Sequence, residues 1–390
     1  MFTIIIFVVI LSVLVMVHEF GHFITARKSG MKVYEFGLGF PPRAFGIYKD
    51  PKTGKWVFVR GKGKSSLKET IGGDGTQEEF PNTLYSVNWL PLGGFVKIKG
   101  ENGENPNDPD SFGYHKAWKR FIVIVAGVTM NVLLAGLLLG IGFMIGLPTD
   151  VSDGIDVKAV VENPMLIVQQ VSDGSPAGEA GIKFGDKILS INGEEIKSTD
   201  ELVSYVKESG EVEMNILVNR EDEEMEFKAT PALLDNHDDG IYRLGIISAD
   251  VAIVRFPWYI ALYKGFVAGF VGFVTVFGLF LVLIKNLIMG QGLAYDVSGP
   301  VGIASVIGAS ARMGMNYLIS TAAMLSITLA VINILPIPAL DGGRALFIIV
   351  EKIIRRPVPI KYEQLAHTIG FVLLMILVVV VTVKDIFKLF

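Results

Sequence analysis

The sequence predicts a polytopic α-helical membrane protein of about four core transmembrane helices, with membrane-associated β elements and one soluble module outside the cytoplasm. Three observations predict it. Of the 390 residues, 51% are apolar and only 19% charged, with a mean hydropathy of +0.50, which is too apolar for an ordinary soluble enzyme. Apolar runs at about 2–23, 121–147, 319–337 and 366–383 each approach the ~20 residues needed to cross a hydrocarbon core of about 30 Å. The charges between these runs are strongly partitioned. Residues 27–120 hold 16 Lys/Arg against 10 Asp/Glu, whereas 148–256 hold 9 against 23.

The first run, Phe2 to Val17, is interrupted only by Thr3 and Ser12. It has no basic leader and no small-x-small cleavage site, so it reads as a retained transmembrane helix rather than a signal peptide. It continues into His18-Glu19-Phe20-Gly21-His22. Imidazoles at i and i+4 share one helix face and can share a zinc ion, and the glutamate between them can activate water. The alternative is a pair of histidines packed against polar neighbours without metal. Ionisable groups at such depth are costly and usually functional, and a zinc hydrolase site there points to cleavage of membrane-embedded peptide bonds. The chain has no cysteine, so any metal must use nitrogen and oxygen ligands.

Residues 31–60 alternate between apolar and turn-forming types and read as short strands with glycine turns. Residues 61–80, with five glycines and three lysines, read as a polar loop or insertion. Trp89 to Ile98 is again strand-like and too short to span. Two readings are open for it: a cytoplasmic surface hairpin, or a β element edging an active-site cleft. Irregular backbone survives at membrane depth only where protein or water covers it, and an exposed edge there could pair with an extended substrate. Lys116, Lys119 and Arg120 against the second span, with Arg27 and Lys28 after the first, place 27–120 in the cytoplasm and the acidic 148–256 segment outside.

Residues 155–230 form the soluble module. Met165 to Gln170 reads as a strand, followed by Gly174-Ser175-Pro176-Ala177 and then Gly185-Asp186-Lys187-Ile188-Leu189-Ser190-Ile191-Asn192-Gly193. Asp200 to Ser209 reads as a helix with Leu202, Val203 and Val206 inward, and Met214, Ile216 and Val218 alternate as a strand. This pattern resembles a PDZ domain of the permuted bacterial form, which implies a groove that adds a peptide as an extra strand or captures a chain terminus. His237 and its neighbouring carboxylates at 235–240 read as a solvated loop. The organisation is therefore 1–147 with two spans and a β-rich loop, 155–230 as the PDZ domain, 231–257 as a linker, 258–317 as a partly embedded or in-plane helical region, and 318–390 with two further spans. The 258–284 run is placed on the outer side or in a re-entrant pair, because a full crossing would reverse the following span.

Two further motifs sit against spans. Asn333-Ile334-Leu335-Pro336-Ile337-Pro338-Ala339-Leu340-Asp341-Gly342-Gly343-Arg344 breaks a helix with two prolines and turns tightly at the glycine pair. Asp341 can be the third zinc ligand, leaving a fourth position for water, or it can cap the following helix. In Gly127-Val128-Thr129-Met130-Asn131, the amide of Asn131 needs a partner in an apolar interior. It could serve the substrate or oxyanion, or it could tie two helices together. Asn333 poses the same choice.

Taken in order, these motifs resemble the site-2 protease family of intramembrane zinc metalloproteases, peptidase class M50, of the bacterial regulator-of-sigma-E type. The His-Glu-x-x-His pattern is met at 18–22, Asn-x-x-Pro-x-Pro-x-Leu-Asp-Gly at 333–342, and Gly-Pro-x-x-Asn at 127–131 with Val128 in the proline place. Leu92 to Lys99 and Ser298 to Ala304 resemble two further family segments. The resemblance implies Zn2+ held by His18, His22 and Asp341, Glu19 as general base and acid, and Asn131 and Asn333 as assisting residues. It implies residence in the bacterial inner membrane with the site near the cytoplasmic side. The implied partners are single-span membrane substrates such as anti-sigma factors or remnant signal peptides, an upstream site-1-type protease and a PDZ peptide ligand, with no nucleic acid. Most such relatives carry two tandem PDZ domains, and this chain has room for one. The rival readings are a non-catalytic PDZ-bearing membrane adaptor and a transporter; the latter predicts inverted repeats, which the sequence does not show.

Overall fold

The computed structural model describes residues 2–61, 80–151, 158–172, 174–220, 223–233, 241–290, 299–356 and 358–388. The polar loop within 61–80, the 235–240 stretch with His237, and Ser298 lie outside the described residues. The chain forms two compact units. One comprises Met1–Leu138, Gly265–Ala311 and Thr321–Phe390, the other Leu139–Lys264 and Arg312–Ser320.

Among the described residues, five helices are long and apolar enough to cross a membrane: α1 (Phe2–Lys28), α2 (Ala117–Ile145), α5 (Trp258–Ile288), α7 (Met315–Ile334) and α9 (Ile360–Lys388). Helix α1 ends at Arg27 and Lys28, where Gly30 takes a left-handed conformation (φ 88°). Met31 N then donates back to the Ala26 carbonyl (2.9 Å), which closes the orphaned carbonyls of the last turn.

Helix α5 differs from the in-plane expectation. It is a continuous helix of 31 residues whose first turns run antiparallel to α2. Leu262 lies at Gly140, Phe266 at Gly136, and Gly269 at the Gly136 backbone, where an added Cβ would come within 2.9 Å. Gly136, Gly140 and Gly269 thus form the surface that lets the two helices approach closely. Helix α6 (Pro300–Met313) has 14 residues, about 21 Å of length, too short to cross a bilayer by itself.

The first unit also holds a sheet of order β2-β1-β3, from β1 (Val33–Lys49), β2 (Trp56–Arg60) and β3 (Leu84–Ile98). Strands β1 and β3 each fold back on themselves. Val33 pairs with Ile98 and Leu38 with Gly94, while Arg43 pairs with Asn88 and Ile47 with Tyr85. Gly39 (φ 77°) and Gly93 (φ 72°) supply backbone angles that other residues rarely adopt. The β3 hairpin lies along α1: Ser12 Oγ donates to the Pro91 carbonyl (2.8 Å), and Val96 N donates to Glu19 Oε2 (3.1 Å). These contacts pack Trp89 to Ile98 along a membrane-length helix and bring Val96 beside Glu19, so the segment is not a free-standing hairpin.

The second unit is built on a sheet of order β4-β12-β5-β6-β8-β9, with β7 on β6. Its strands are β4 (Leu147–Asp150), β5 (Val160–Val171), β6 (Lys187–Ile191), β7 (Glu194–Glu195), β8 (Met214–Arg220), β9 (Glu223–Ala229) and β12 (Ile246–Arg255). Strands β10 (Ala232–Leu233) and β11 (Tyr242–Arg243) pair separately, and the helices are α3 (Pro176–Ala180) and α4 (Thr199–Ser209). Alternation along β8 buries Met214, Ile216 and Val218 against Leu166, Ile188, Leu202 and Val206. Two expectations are corrected. Residues 231–257 are not a linker, because β12 lies inside the sheet and pairs with both β4 and β5, so the module reaches beyond 155–230 at both ends. Val203 is 56% exposed; it leaves the inward stripe that Leu202 and Val206 share.

Candidate active site

Three segments far apart in sequence meet in the first unit. Helix α1 presents His18 and His22 one turn apart, with their rings edge to face at 4.8 Å. Helix α8 (Asp341–Ile354) begins at Asp341, with Leu340 as its N-cap. The Asp341 carboxylate does not cap that helix. Its Oδ2 lies 2.8 Å from His18 Nε2 and 3.2 Å from His22 Nε2, and the two Nε2 atoms are 3.1 Å apart.

The turn before Asp341 is shaped by close backbone packing. A Cβ at Gly342 would strike the carbonyls of Ile334 and Leu335, and one at Gly343 would lie 2.5 Å from the Ile337 carbonyl. Ala339 is held at φ 84°, a costly angle for a residue with a side chain, and its N–H donates to His367 Nδ1 (2.8 Å).

Helix α2 completes the cradle. His22 Nδ1–H donates to the Val123 carbonyl (2.8 Å); a carbonyl can only accept, so the proton sits on Nδ1 and the Nε2 lone pair faces the cluster. At Gly127 an added Cβ would fall 2.5 Å from His22 Nε2 and 2.7 Å from His18 Nε2, so both rings rest against bare backbone. Asn131 is fully buried. Its side-chain Nδ2 is 3.3 Å from His18 Nδ1, and its backbone carbonyl accepts from Ser326 Oγ (2.8 Å).

The donor set fits a zinc ion. Two imidazole nitrogens and one carboxylate oxygen lie within 4.8 Å of one another. A tetrahedral site with bonds of about 2.0–2.1 Å has edges of about 3.3 Å, close to the observed separations of 2.8–3.2 Å. Three protein ligands leave the fourth position open, the pattern of catalytic rather than structural zinc.

Glu19 projects beside the cluster with Oε2 on the Val96 amide. Asn333 is half-buried at the end of α7, and no side-chain hydrogen bond to it occurs among the described residues. The structure thus brings His18, Glu19, His22, Asn131 and Asp341 together. Sequence reasoning missed Val96, Ser326 and His367, whose only local signal is a polar group or strand amide next to an apolar span. A cavity of about 220 Å³, lined by Glu101, Asn102, Arg120, Arg344, Glu363 and His367 among others, opens beside α8. Its charges are paired: Arg344 with Glu101, and Arg120 with Glu351 (2.8 Å).

The family model for peptidase family M50 matches residues 6–57 and 75–377 of this chain. The regulator of sigma-W protease RasP of Bacillus subtilis is 31% identical, over 100% of this chain and 99% of its own length. A Clostridium perfringens protein named as a zinc metalloprotease is 34% identical over 96% of each chain. A solved PDZ domain of an SdrC-like protein from Listeria monocytogenes aligns with 23% of this chain and 92% of that domain, at 23% identity and a TM-score of 0.21.

Proposed function

Because the chain belongs to peptidase family M50 and is a zinc-dependent intramembrane metalloendopeptidase, we propose that it cleaves the transmembrane segments of single-span proteins already shortened by another protease. Anti-sigma factors and remnant signal peptides are the substrate classes that fit. The observation that carries this reading is the convergence of His18, His22 and Asp341 against a membrane-length helix, with the Glu19 carboxylate held by a strand amide that runs alongside.

Each residue then has a task. His18, His22 and Asp341 hold the zinc, which supplies Lewis acidity toward water and the scissile carbonyl. Glu19 takes the proton of the attacking water on a carboxylate oxygen and returns it to the departing amide nitrogen. Asn131 positions a ligand. In its present orientation Oδ1 is buried without a partner, and the amide is interchangeable with its flipped form. Turned over, Oδ1 accepts from His18 Nδ1–H, which leaves the His18 Nε2 lone pair free for metal.

A helical substrate hides its carbonyls in internal hydrogen bonds, so it must be drawn out before it can be cut. The Val96 N–H faces α1 rather than a neighbouring strand, and an unwound substrate pairing there would lie beside Glu19. The excess of basic residues in 27–120 supports a site near the cytoplasmic face of the inner membrane, with the 148–256 module outside. We read that module as a PDZ domain that binds a peptide or chain terminus and admits trimmed substrates.

The test is cleavage of a tagged single-span substrate, full length and truncated, by the purified chain and by Glu19→Gln, with zinc measured on the same samples. The expected result is cleavage of the truncated form, a loss of about 10²–10⁴-fold in Glu19→Gln, and zinc retained in both. Equal cleavage of both substrate lengths would remove the trimming requirement. Zinc-free protein that still cleaves would overturn the mechanism.

A further inference from the structure

The antiparallel ribbon of β1 and β2 carries a face that the protease chemistry does not use. Its cross-strand pairs are Phe45 with Arg60, Ile47 with Phe58, and Lys49 with Trp56. Because side chains alternate across a strand, these six share one face, and all six are exposed. Trp56 is 59% and Phe58 62% accessible, and Phe45 stacks on Phe58 at 5.9 Å. Exposed aromatics packed this densely on a short ribbon are unusual for a surface in contact with water.

Two further observations select the occupant. The first is charge. Lys52 and Lys55 join Lys49 and Arg60 around the apolar centre, and all are exposed. The one acid between Phe45 and Arg60, Asp50, is turned onto its own loop, accepting from Lys52 N (2.9 Å) and Thr53 Oγ1 (2.8 Å). The second is depth. Trp56 lies 6.2 Å from the Tyr85 ring, and the Tyr85 hydroxyl accepts from Arg27 (3.3 Å). Arg27 stands in the last turn of α1, where the apolar run gives way to charge. The other end of the same sheet reaches Ser12, half-way along that helix. The aromatic face therefore stands at the level where α1 leaves the hydrocarbon.

We propose that this face docks on the lipid headgroup interface at the Arg27 end of α1, with Trp56, Phe58, Phe45 and Ile47 at the acyl boundary and the basic rim on anionic phospholipid. Tryptophan and other aromatics prefer that zone, and basic side chains beside it are drawn to anionic lipid. The sheet would then be held from two sides, by α1 along β3 and by lipid along β2. The proposal rests on the membrane reading of α1 and not on the protease chemistry.

The experiment uses the full chain in lipid nanodiscs, with Trp89, Trp118 and Trp258 changed to Phe so that Trp56 reports alone. Emission is measured in phosphatidylglycerol and in phosphatidylcholine discs, with and without lipids brominated near the headgroup. The expected result is blue-shifted emission, with about half of it quenched in anionic discs, and weaker quenching in phosphatidylcholine. Changing Lys49, Lys52, Lys55 and Arg60 to Gln should reduce the anionic signal to the phosphatidylcholine level. Fully hydrated, unquenched emission would overturn the proposal. So would burial that appears only when two chains share a disc, since the occupant would then be a second copy. If the tryptophan variant does not fold, as judged by zinc content, Phe58→Cys in this cysteine-free chain carries a spin label. Accessibility to oxygen over aqueous nickel supports the proposal, and the reverse sinks it.

Discussion

The carboxylates of Asp186 and Asp341 are treated in opposite ways by their surroundings. Asp186, in the sheet module, is fully buried and fully answered. Arg220 meets it with Nε at 2.6 Å and Nη2 at 2.7 Å, and Lys183 N donates at 2.8 Å. The guanidinium is itself held by the Gly181 carbonyl (2.8 Å) and lies over Phe227 at 5.0 Å. Asp341, in the helical unit, faces two imidazoles, one of which spends its proton on Val123 and turns a lone pair toward the carboxylate. A closed set of donors and acceptors is a structural clamp. A set of acceptors converging on one point is a place prepared for a cation.

The most damaging way to test that contrast is to remove the charge from each centre. Asp341→Asn should lower zinc affinity by more than about 100-fold, the upper end of what an outer-shell loss costs. Cleavage should vanish with it while the sheet module keeps its resistance to limited proteolysis. Arg220→Met should do the converse. It leaves the buried Asp186 charge without its counter-ion and with only the Lys183 N–H as donor, which costs about 3–5 kcal/mol, so the module should become protease-sensitive in the full chain while zinc content stays at the wild-type level. Joint replacement of Asp186 and Arg220 by apolar residues should restore most of the resistance; failure to do so would mean that the pair is more than a clamp.

Gly127→Ala sharpens the comparison at lower cost. The new methyl group meets both histidine rings and should weaken zinc binding by about 10–100-fold without unfolding α2, as read by metal titration and circular dichroism. The smallest effect belongs to an exposed cluster. Hydrogen bonds that the Lys99 ammonium donates to Asp108 and Asp110 hold it above its ordinary range, and Lys99 in turn holds the Asp110 carboxyl below its own. A depressed carboxyl stabilises the fold above its unfolded range and loses that contribution as pH falls through the folded value. The aspartates are nearly half exposed, so Lys99→Met should change stability by less than about 1 kcal/mol at neutral pH and by still less in acid, as thermal unfolding at the two pH values would show.

The parts legible in the sequence were those with a short period or a compact motif. His18, Glu19 and His22 announce themselves by helical spacing, Asp341 by the proline and glycine pattern around it, and the module core by alternation at Met214, Ile216 and Val218. What stayed hidden depends on partners distant in the chain. Strand β12 reads as a linker because its alternation is blurred; it is flanked by strands on both sides and buried on more than one face. The antiparallel path of α5 depends on which of its residues meet Gly136 and Gly140. Val96 carries no signal at all, since its contribution to the site is a backbone N–H, which every residue but proline possesses. Val203 was misread because a three-residue stripe on an 11-residue helix leaves the angular width of the buried face unspecified.

The hydrogen bond from Val96 to Glu19 also bears on inhibition. A compound that only grips the metal centre competes with nothing but water and will strike many unrelated zinc enzymes. One that adds a carbonyl in extended geometry, set to accept from Val96 N–H, would dislodge the Glu19 carboxylate from its resting partner and borrow the strand edge for affinity. Selectivity would then come from main-chain complementarity, which point mutation of side chains in the target cannot easily erase. A rigid helical mimic of a transmembrane substrate has no free carbonyl to offer and should be a poor lead.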